Sequence, residues 1–552
     1  MQHVLDVIKR WTERIETHPL HRWLIATDDG IAAEQKLWFS LYFTNFIMYF
    51  RELNLYHVAY RRWPSGERHC DAITQHADED MTHSRLFLED FRTLGWDDLL
   101  DWRPSEVFHW LFTHPVNEGL RYRTVSIAKL YVESEHPLLR FAVVEAIEAC
   151  GNALFRHTTQ LSERYRALTG TDLIYFGAHH LARETGHAVE SEDHALFRDA
   201  QLSREQRSLA IARASRAFEL IDEQNTEMLR LAKETITLGG FRALRSAPLC
   251  LEVVPESHAQ TSGQLDPWPN VYQFNFWPKK PHASQRILIA AVWRALNTVR
   301  SSAMLNFFAS NDDEEMLHRL RLSLMYFATD CVGTPTFYRH MVSYPAAHDA
   351  RERAINRMAH RFGTRSRLLY VDWQSLALDD VGWSVSRTLE FIYLDRASES
   401  HRDLRAVITH YNDVTTAPLL RYWTLVALKT MTNAHADACA DQARRAERRF
   451  GISLPYLSGR RVPLPRVDPD PEADAVAFEA LPADDHSVQH VLTMIDELAA
   501  AAHKRNFEML ESARRGDYPE FVASGRGSVL QHGRFARREC VRDPSANSVE
   551  AP

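Results

Sequence analysis

A block of 27 residues occurs twice in this chain, and the two copies differ at positions suited to binding a metal. Residues 72–98 read AITQHADEDMTHSRLFLEDFRTLGWDD, and residues 354–380 read AINRMAHRFGTRSRLLYVDWQSLALDD, with 11 of 27 positions identical and no gap. In the second copy, Met358 stands in place of His76, Arg361 in place of Glu79 and Arg365 in place of His83. The apolar frame is kept while the polar chemistry changes, which indicates an internal repeat of a structural unit.

Three further blocks recur in the same order, 281 residues apart. They are PLLRFAVVEAIEACGNA (137–153) with PLLRYWTLVALKTMTNA (418–434), GTDLIYFG (170–177) with GISLPYLS (451–458), and QNTEML (224–229) with RNFEML (505–510). Four blocks in one order indicate duplication of a whole domain. The sequence therefore predicts two tandem domains of the same fold.

Proline- and serine-rich segments set the predicted domain boundaries. A chain of 552 residues exceeds what one hydrophobic core usually holds. We expect a first domain at 1–245, a linker at 246–283, a second domain at 284–518 and a flexible tail at 519–552. Within the second domain, the proline-rich and acidic segment 462–485 is predicted to be a loop.

Helical periodicity dominates the apolar pattern, as in residues 37–53, 137–168 and 204–236. Sustained strand-like alternation with hairpin turns is nearly absent. The predicted fold class is all-α, with two tandem helical bundles.

Composition narrows the classes of partner. A net charge of −8 and a pI near 6.4 argue against general nucleic-acid binding. No stretch is apolar and long enough to span a membrane, and the first 20 residues lack the core of a signal peptide. Six scattered cysteines without a CxxC pair suggest reduced thiols. We expect a cytoplasmic protein with no nucleic-acid or membrane partner, and homodimerisation is left open.

Three predicted helices of the first repeat offer metal ligands on one face. Glu79 and His83 are four residues apart, and Glu148 lies one turn after Glu145 on an apolar helix. The third helix carries HHLARETGH, in which His180, Glu184 and His187 point within about 60° of one another. Facing helices that project carboxylates and imidazoles inward can build a two-metal site, and such ligands suit iron.

The second repeat replaces four of these candidate ligands with cations. The exchanges are Glu79 to Arg361, His83 to Arg365, Glu148 to Lys429 and His180 to Arg461. Joint loss of a shared metal, with positive side chains filling the vacated charge, explains all four changes. His76, which becomes the neutral Met358, is expected to lie behind the ligands instead of among them.

The order Glu…His, then Glu, then His-x3-acid-x2-His resembles the heme-oxygenase-like di-iron oxidases. The stretch DEDMTHSRLFLEDFRTLG (78–95) is similar to the acid-then-His helix of that family, and the resemblance covers roughly residues 15–240, with 285–515 as a degenerate copy. It implies a seven-helix fold and two iron ions. The implied ligands are Glu79, His83, Glu148, His180, Glu184 and His187. The family usually has Asp where this chain has Glu184, and Asp80 or Glu145 could replace Glu79 or Glu148 as a ligand.

The resemblance implies an O2-dependent non-heme di-iron oxidoreductase that acts on a small metabolite bearing an amine or a carboxylate. N-oxygenation and oxidative C–H or C–C chemistry are both open, and an external electron donor would be compatible with either. The expected pocket walls are aromatic, from Phe43, Phe46, Phe50, Tyr175 and Phe176. Two alternatives remain. The first is a metal-independent enzyme of the same fold, either thiaminase-type, for which Cys150 is the nearest cysteine, or a cofactorless oxidase. The second is a non-catalytic scaffold of a biosynthetic pathway.

The degenerate domain has two interpretations. Its cations, which would converge where the first copy holds metal, must meet acids, an anion or solvent. The domain could be kept for packing and stability, or it could form an anion-binding pocket.

Overall fold

The computed structural model is all-α over the residues that it describes, which confirms the predicted fold class. These are residues 1–61, 66–188, 192–244, 281–310, 315–333, 338–364, 366–380, 382–395, 398–414, 417–459, 471–479 and 484–515. No strand occurs among them. None of the helices in these ranges has the length and apolar character needed to cross a membrane.

Thirteen α-helices lie in the described residues before 245. They are α1 (Gln2–Glu16), α2 (Pro19–Ile25), α3 (Ala33–Leu37), α4 (Phe39–Leu53), α5 (Arg68–Asp80), α6 (His83–Thr93), α7 (Trp96–Leu100), α8 (Pro104–Phe112), α9 (Glu118–Val132), α10 (Pro137–Thr169), α11 (Ala178–Ala188), α12 (Glu192–Arg198) and α13 (Arg204–Thr237). A π-helical turn at Asn54–Val58 and 3-10 turns at Pro115–Asn117 and Phe241–Leu244 complete this part.

The helices that follow residue 280 repeat much of this order. They are α14 (Ala283–Arg300), α15 (Ala303–Ala309), α16 (Met316–Val332), α17 (Ala350–Thr364), α18 (Ser366–Ser375), α19 (Val385–Tyr393), α20 (Glu399–Val414), α21 (Pro418–Phe450), α22 (Pro471–Glu479) and α23 (Asp485–Arg515). A second π-helical turn lies at Tyr338–Val342. The predicted loop at 462–485 is wrong in its described part, because 471–479 form α22 and α23 begins at Asp485. Apolar residues such as Phe478, which is fully buried, draw this segment into the core.

Two long repeated helices, α10 and α21, have the same length because the same local signals bound them. Each spans 33 residues and begins with proline, Pro137 or Pro418, whose missing N–H needs no partner in the first turn. Each ends at a glycine with a left-handed backbone, Gly170 at φ 76° and Gly451 at φ 66°. The sequence therefore fixes both ends of these helices locally.

These long helices pack in the same way before and after the central segment. Helix α10 packs against α1 and α13, which also pack against each other. Helix α21 packs against α14 and α23, which likewise contact each other. The predicted linker at 246–283 lies outside the described residues up to 280, and the predicted tail at 519–552 lies wholly outside them.

Contacts between the two parts of the chain are also paired. The carboxylate of Asp97 accepts hydrogen bonds from the backbone N–H and the hydroxyl of Ser386, at 2.7 and 2.6 Å. Asp379 accepts the equivalent two bonds from Ser105, at 3.0 and 2.7 Å. Asp97 and Asp379 are corresponding positions of the repeat, as are Ser105 and Ser386. The two contacts are therefore reciprocal, as in an interface with two-fold symmetry.

Candidate metal centre

The first predicted ligand helix ends earlier than its sequence suggests. Helix α5 ends at Asp80 and α6 begins at His83, so Glu79 and His83 do not lie on one continuous helix. The intervening turn is held by Thr82, whose hydroxyl donates to the carbonyl of Glu79 at 3.0 Å. A hydroxyl that bonds locally to the backbone competes with helical hydrogen bonding, which accounts for the break.

The end of α5 places His76 and Asp80 beside Glu148 of α10. His76 Nε2 lies 3.3 Å from Asp80 Oδ2 and 3.5 Å from Glu148 Oε1. One ligand atom from each of the three residues lies within 4.8 Å of the others, which is the spacing of groups that can share a metal ion. The structure therefore brings together Glu148, the reserve candidate Asp80 and His76, which the sequence comparison had placed behind the ligands.

Electrostatics at this cluster favour positive charge. Burial by itself lowers the pKa of His76, but the carboxylates of Asp80 and Glu148 outweigh it and raise that pKa well above its ordinary value of 6.5. Asp80 is buried, and Glu148 is only 17% exposed. Two carboxylates so placed attract a cation, whether an imidazolium or a metal ion.

Two further histidines extend the cluster into the core. His83 Nδ1 lies 3.9 Å from Asp80 Oδ1, and the ring of His83 meets the ring of His180 edge to face, with centroids 4.5 Å apart. Both imidazoles are buried, His180 completely. Imidazoles from α6 and α11 thus lie next to the carboxylates from α5 and α10.

The tautomer of His180 follows from its hydrogen bond. Its Nδ1 lies 2.8 Å from the carbonyl oxygen of Tyr175, and a carbonyl can only accept, so Nδ1 carries the hydrogen. In the neutral ring Nε2 then keeps its lone pair. A backbone carbonyl that fixes the second nitrogen is the usual support of a histidine that binds metal.

A buried carboxylate holds the loop that supplies this carbonyl. Asp90 accepts hydrogen bonds from the backbone N–H groups of Ile174, Tyr175 and Phe176, at 2.6, 2.9 and 2.9 Å. Burial raises the pKa of Asp90 to about 6, although the three N–H groups oppose that shift. Asp90 thereby positions Tyr175 and, through it, His180.

The second part of the chain keeps this support. Asp372, which corresponds to Asp90, accepts from the N–H groups of Tyr456 and Leu457 at 3.0 and 2.8 Å. Both copies of the repeat therefore hold this loop with a buried aspartate. His180, which the loop orients in the first copy, is replaced by Arg461 in the second.

A cavity opens beside the cluster. His83 and Glu148 line it on one side, and its volume, including the opening to solvent, is about 570 Å3. Of the expected aromatic wall, Phe43, Phe46, Phe50 and Tyr175 line the cavity. Phe176, the fifth, is fully buried and packs edge to face on Phe39 and Phe87. No arginine or lysine is among the described residues that line the cavity.

Cys150 also lines the cavity but is buried, and burial raises the pKa of its thiol well above the ordinary value of 9. The thiolate is the nucleophilic form of cysteine. This environment keeps Cys150 in the unreactive form.

The remaining predicted ligands lie elsewhere or are not described. Glu79 is partly exposed and accepts from Gln75 Nε2 at 3.4 Å on the outer side of α5, and Glu145 is also partly exposed. Glu184 and His187 belong to α11, but their side chains fall outside the described part of the chain. Their role as ligands stays a prediction.

The equivalent positions of the second part also contact each other, with different chemistry. Asp80 corresponds to Phe362 and Glu148 to Lys429, and Lys429 Nζ lies over the ring of Phe362 at 5.1 Å from its centroid. Met358, in place of His76, is fully buried. A cation on an aromatic face thus replaces the carboxylate pair.

Arg361, in place of Glu79, pairs with the fully buried Asp474 of α22. Arg357 Nε donates to the same carboxylate at 2.9 Å. The acid that these cations require is therefore Asp474. Arg365 and Arg461 lie outside the described residues.

Comparison with known proteins adds no assignment. No protein-family model matches the chain, and no curated protein is similar to it at a significant level.

Proposed function

We propose that this chain is an O2-dependent non-heme iron oxidoreductase whose metal centre lies in the part that precedes residue 245. The observation that carries the proposal is the convergence of His76, Asp80 and Glu148 within 4.8 Å. His83 and His180 extend the donor set, and Glu184 and His187 are the predicted ligands that would complete it.

The donor set fits iron. It consists of imidazole nitrogens and carboxylate oxygens without a thiolate, a combination that binds iron and leaves positions open for O2. Carboxylates contributed by facing helices, here α5 and α10, can also bridge two ions. When bound, the iron would supply the electrons that reduce O2 and the oxidising power that acts on a substrate.

The protein side chains perform the remaining tasks. Asp90 and the carbonyl of Tyr175 orient His180, so that its Nε2 can donate to a metal. The apolar walls of the cavity exclude water from the space beside Glu148 and His83. A substrate held there lies next to the candidate metal centre, as oxidation of an organic group requires.

Lys429 and Phe362 support a single centre. A cation in place of Glu148 repels a metal ion, and a phenyl ring in place of Asp80 offers no ligand atom. We therefore propose that the degenerate part of the chain serves the fold and the interface, with Asp474 neutralising its arginines.

Anaerobic titration with Fe(II), followed by dialysis and metal analysis, tests the proposal. We expect about two irons per chain, and at least tenfold weaker binding in Asp80→Asn and Glu148→Gln. Glu79→Gln is the comparison variant, because Glu79 lies outside the cluster. Lys429→Gln is the matched control in the second part and should leave iron content unchanged.

Absence of iron binding in a correctly folded chain would refute the oxidase and favour a metal-independent enzyme or a scaffold. A loss in Glu79→Gln equal to that in Asp80→Asn would restore Glu79 as a ligand.

A further inference from the structure

Two adjacent amide side chains of α13, Gln224 and Asn225, line the apolar cavity beside the candidate metal centre. They are only 2% and 4% exposed. The buried Oε1 of Gln224 has no hydrogen-bond partner among the described residues. A buried amide oxygen without a partner destabilises the folded protein, because it has lost its hydrogen bonds to water. Such a group in a cavity is ready to bind a ligand.

In the second part of the chain, the residues at the same positions form hydrogen bonds within the protein. Arg505 corresponds to Gln224, and Asn506 corresponds to Asn225. Arg505 Nε donates to Asn506 Oδ1 at 3.3 Å, and Asn506 Nδ2 donates to Ser302 at 3.1 Å. The Arg505–Asn506 pair therefore has hydrogen-bond partners within the protein, whereas the buried Oε1 of Gln224 has none among the described residues.

The walls of the cavity define what it can hold. Phenylalanine rings, Ile147, Leu154 and Ile221 make most of its lining apolar. Glu148 is the one carboxylate among the described lining residues, and its Oε1 already lies 3.5 Å from His76 Nε2, so it is not left over for an organic cation. The described lining has no guanidinium or ammonium group to balance an organic anion. A buried charge without a partner is strongly disfavoured, whereas an uncharged donor or acceptor can pair with an amide.

We propose that Gln224 and Asn225 are the recognition end of a binding site for a small, mostly apolar molecule with one uncharged hydrogen-bonding group, such as a carboxamide or a hydroxyl. The assignment of this molecule as the substrate rests on the proposed oxidase function, while its binding does not. The resemblance implied a metabolite that bears an amine or a carboxylate. The neutral amides of Gln224 and Asn225 favour instead a ligand whose polar group is uncharged.

Gly151 helps to open the site. It lies on α10 one turn after Glu148 and lines the cavity, and a Cβ built there would stand 3.5 Å from the ring of Phe155, an ordinary contact. Gly151→Ala should therefore fold, and its melting temperature should rise because alanine favours a helix more than glycine does. The added methyl group narrows the cavity without touching either amide.

Binding of three probes of equal chain length, octanamide, octanoate and octylammonium, by calorimetry to the full-length protein tests the proposal. We expect octanamide to bind at least tenfold more tightly than either charged probe. Gln224→Leu should lose that preference, with a melting temperature equal to or above that of the parent protein, since it removes a buried group that lacks a partner. Gly151→Ala should weaken binding of octanamide while raising the melting temperature.

Equal or tighter binding of octanoate or octylammonium would overturn the proposal, as would an unchanged preference in Gln224→Leu. A lower melting temperature in Gln224→Leu with unaltered octanamide binding would assign Gln224 a structural role and also overturn it. Iron content is measured separately. If octanamide binds but iron does not, the oxidase proposal is refuted and the proposed binding site stands. If iron binds but octanamide does not, the oxidase proposal stands and the binding site is refuted.

Discussion

Asp97 accepts two hydrogen bonds from Ser386, one from the backbone and one from the side chain. Ser386 lies in the first turn of α19, where backbone N–H groups have no partner within the helix. Asp379 makes the same pair of bonds to Ser105 in the first turn of α8. Each copy of the repeat thus caps a helix of the other, so the second copy contributes to the stability of the first.

Removal of these caps should weaken the contact between the two parts. We expect Asp97→Asn and Asp379→Asn each to lower the free energy of unfolding by about 1–2 kcal/mol, because an amide is a poorer acceptor and lacks the charge that favours a helix N-terminus. Urea unfolding at neutral pH measures the effect. The neighbouring exposed residues supply controls, Asp98→Asn and Asp380→Asn, which should change stability by less than about 0.5 kcal/mol. Equal effects in caps and controls would contradict the assignment.

Two buried carboxylates, Asp90 and Asp372, each hold a loop by accepting backbone hydrogen bonds, but only the loop held by Asp90 orients a candidate metal ligand. We expect Asp90→Asn and Asp372→Asn both to lower the melting temperature, because each carboxylate satisfies buried backbone N–H groups. Asp90→Asn alone should also weaken iron binding, by about 10- to 100-fold, since it loosens the loop that orients His180. Iron titration of the two folded variants at one temperature decides the matter. An equal change in iron affinity in both variants would show that the effect is global destabilisation.

Loss of Asp474 should strongly destabilise the second part of the chain. Its carboxylate is fully buried between Arg357 and Arg361, so Asp474→Ala should lower the free energy of unfolding by about 3–5 kcal/mol. The double variant Asp474→Leu with Arg361→Leu should recover much of that loss, because it removes the buried cation together with its balancing charge. Chemical denaturation of both variants measures the difference. A double variant less stable than Asp474→Ala would argue against a pairwise interaction.

Acid should destabilise the protein through the buried His21, which lies outside the candidate metal centre. Burial, aided by the neighbouring His157, lowers the pKa of His21 from 6.5 to about 3. Between these two values the unfolded chain binds a proton that the folded chain does not, so stability is complete above pH 6.5 and falls as the pH decreases toward 3. The loss approaches about 1.4 kcal/mol per pH unit for one such residue.

His21→Asn should reduce this slope, because an amide does not titrate and can still donate to the carbonyl of Ile15, as His21 Nδ1 does at 2.8 Å. Unfolding free energies at pH 7.5, 6.5 and 5.5 give the slope. His3→Asn, at an exposed position, is the control and should keep the slope of the parent protein. An identical slope in all three proteins would exclude His21 as a source.

Local signals account for what could be predicted of the fold. Apolar periodicity predicted a helix at 137–168, and α10 spans Pro137–Thr169, with Pro137 in its first turn and Gly170 at its end. The same reasoning failed at 462–485, where proline suggested a loop. Pro471 occupies the first turn of α22, a position that tolerates proline, and buried apolar residues after it favour a helix.

The candidate site was predicted in part. Comparison of the repeats selected Glu148, His83 and His180, since their replacement by cations could be read directly. As candidate metal ligands, Asp80 was ranked below Glu79, and His76 below both. The reason is that helical spacing assumes one continuous helix, whereas α5 ends at Asp80 and α6 begins at His83. Gln224 and Asn225 were missed, although the change from QNTEML to RNFEML carried a signal, a neutral amide exchanged for a cation.

The sequence by itself determined that the chain is helical, that it contains an internal repeat and that metal-type side chains occur in one copy. These properties depend on neighbours along the chain and on comparison of one copy with the other. Tertiary structure alone decided which carboxylate meets His76, where an amide is left with an unused acceptor, and that each copy caps a helix of the other. Those outcomes depend on distances between side chains far apart in sequence, which are set by how the helices pack and not by the order of residues within them.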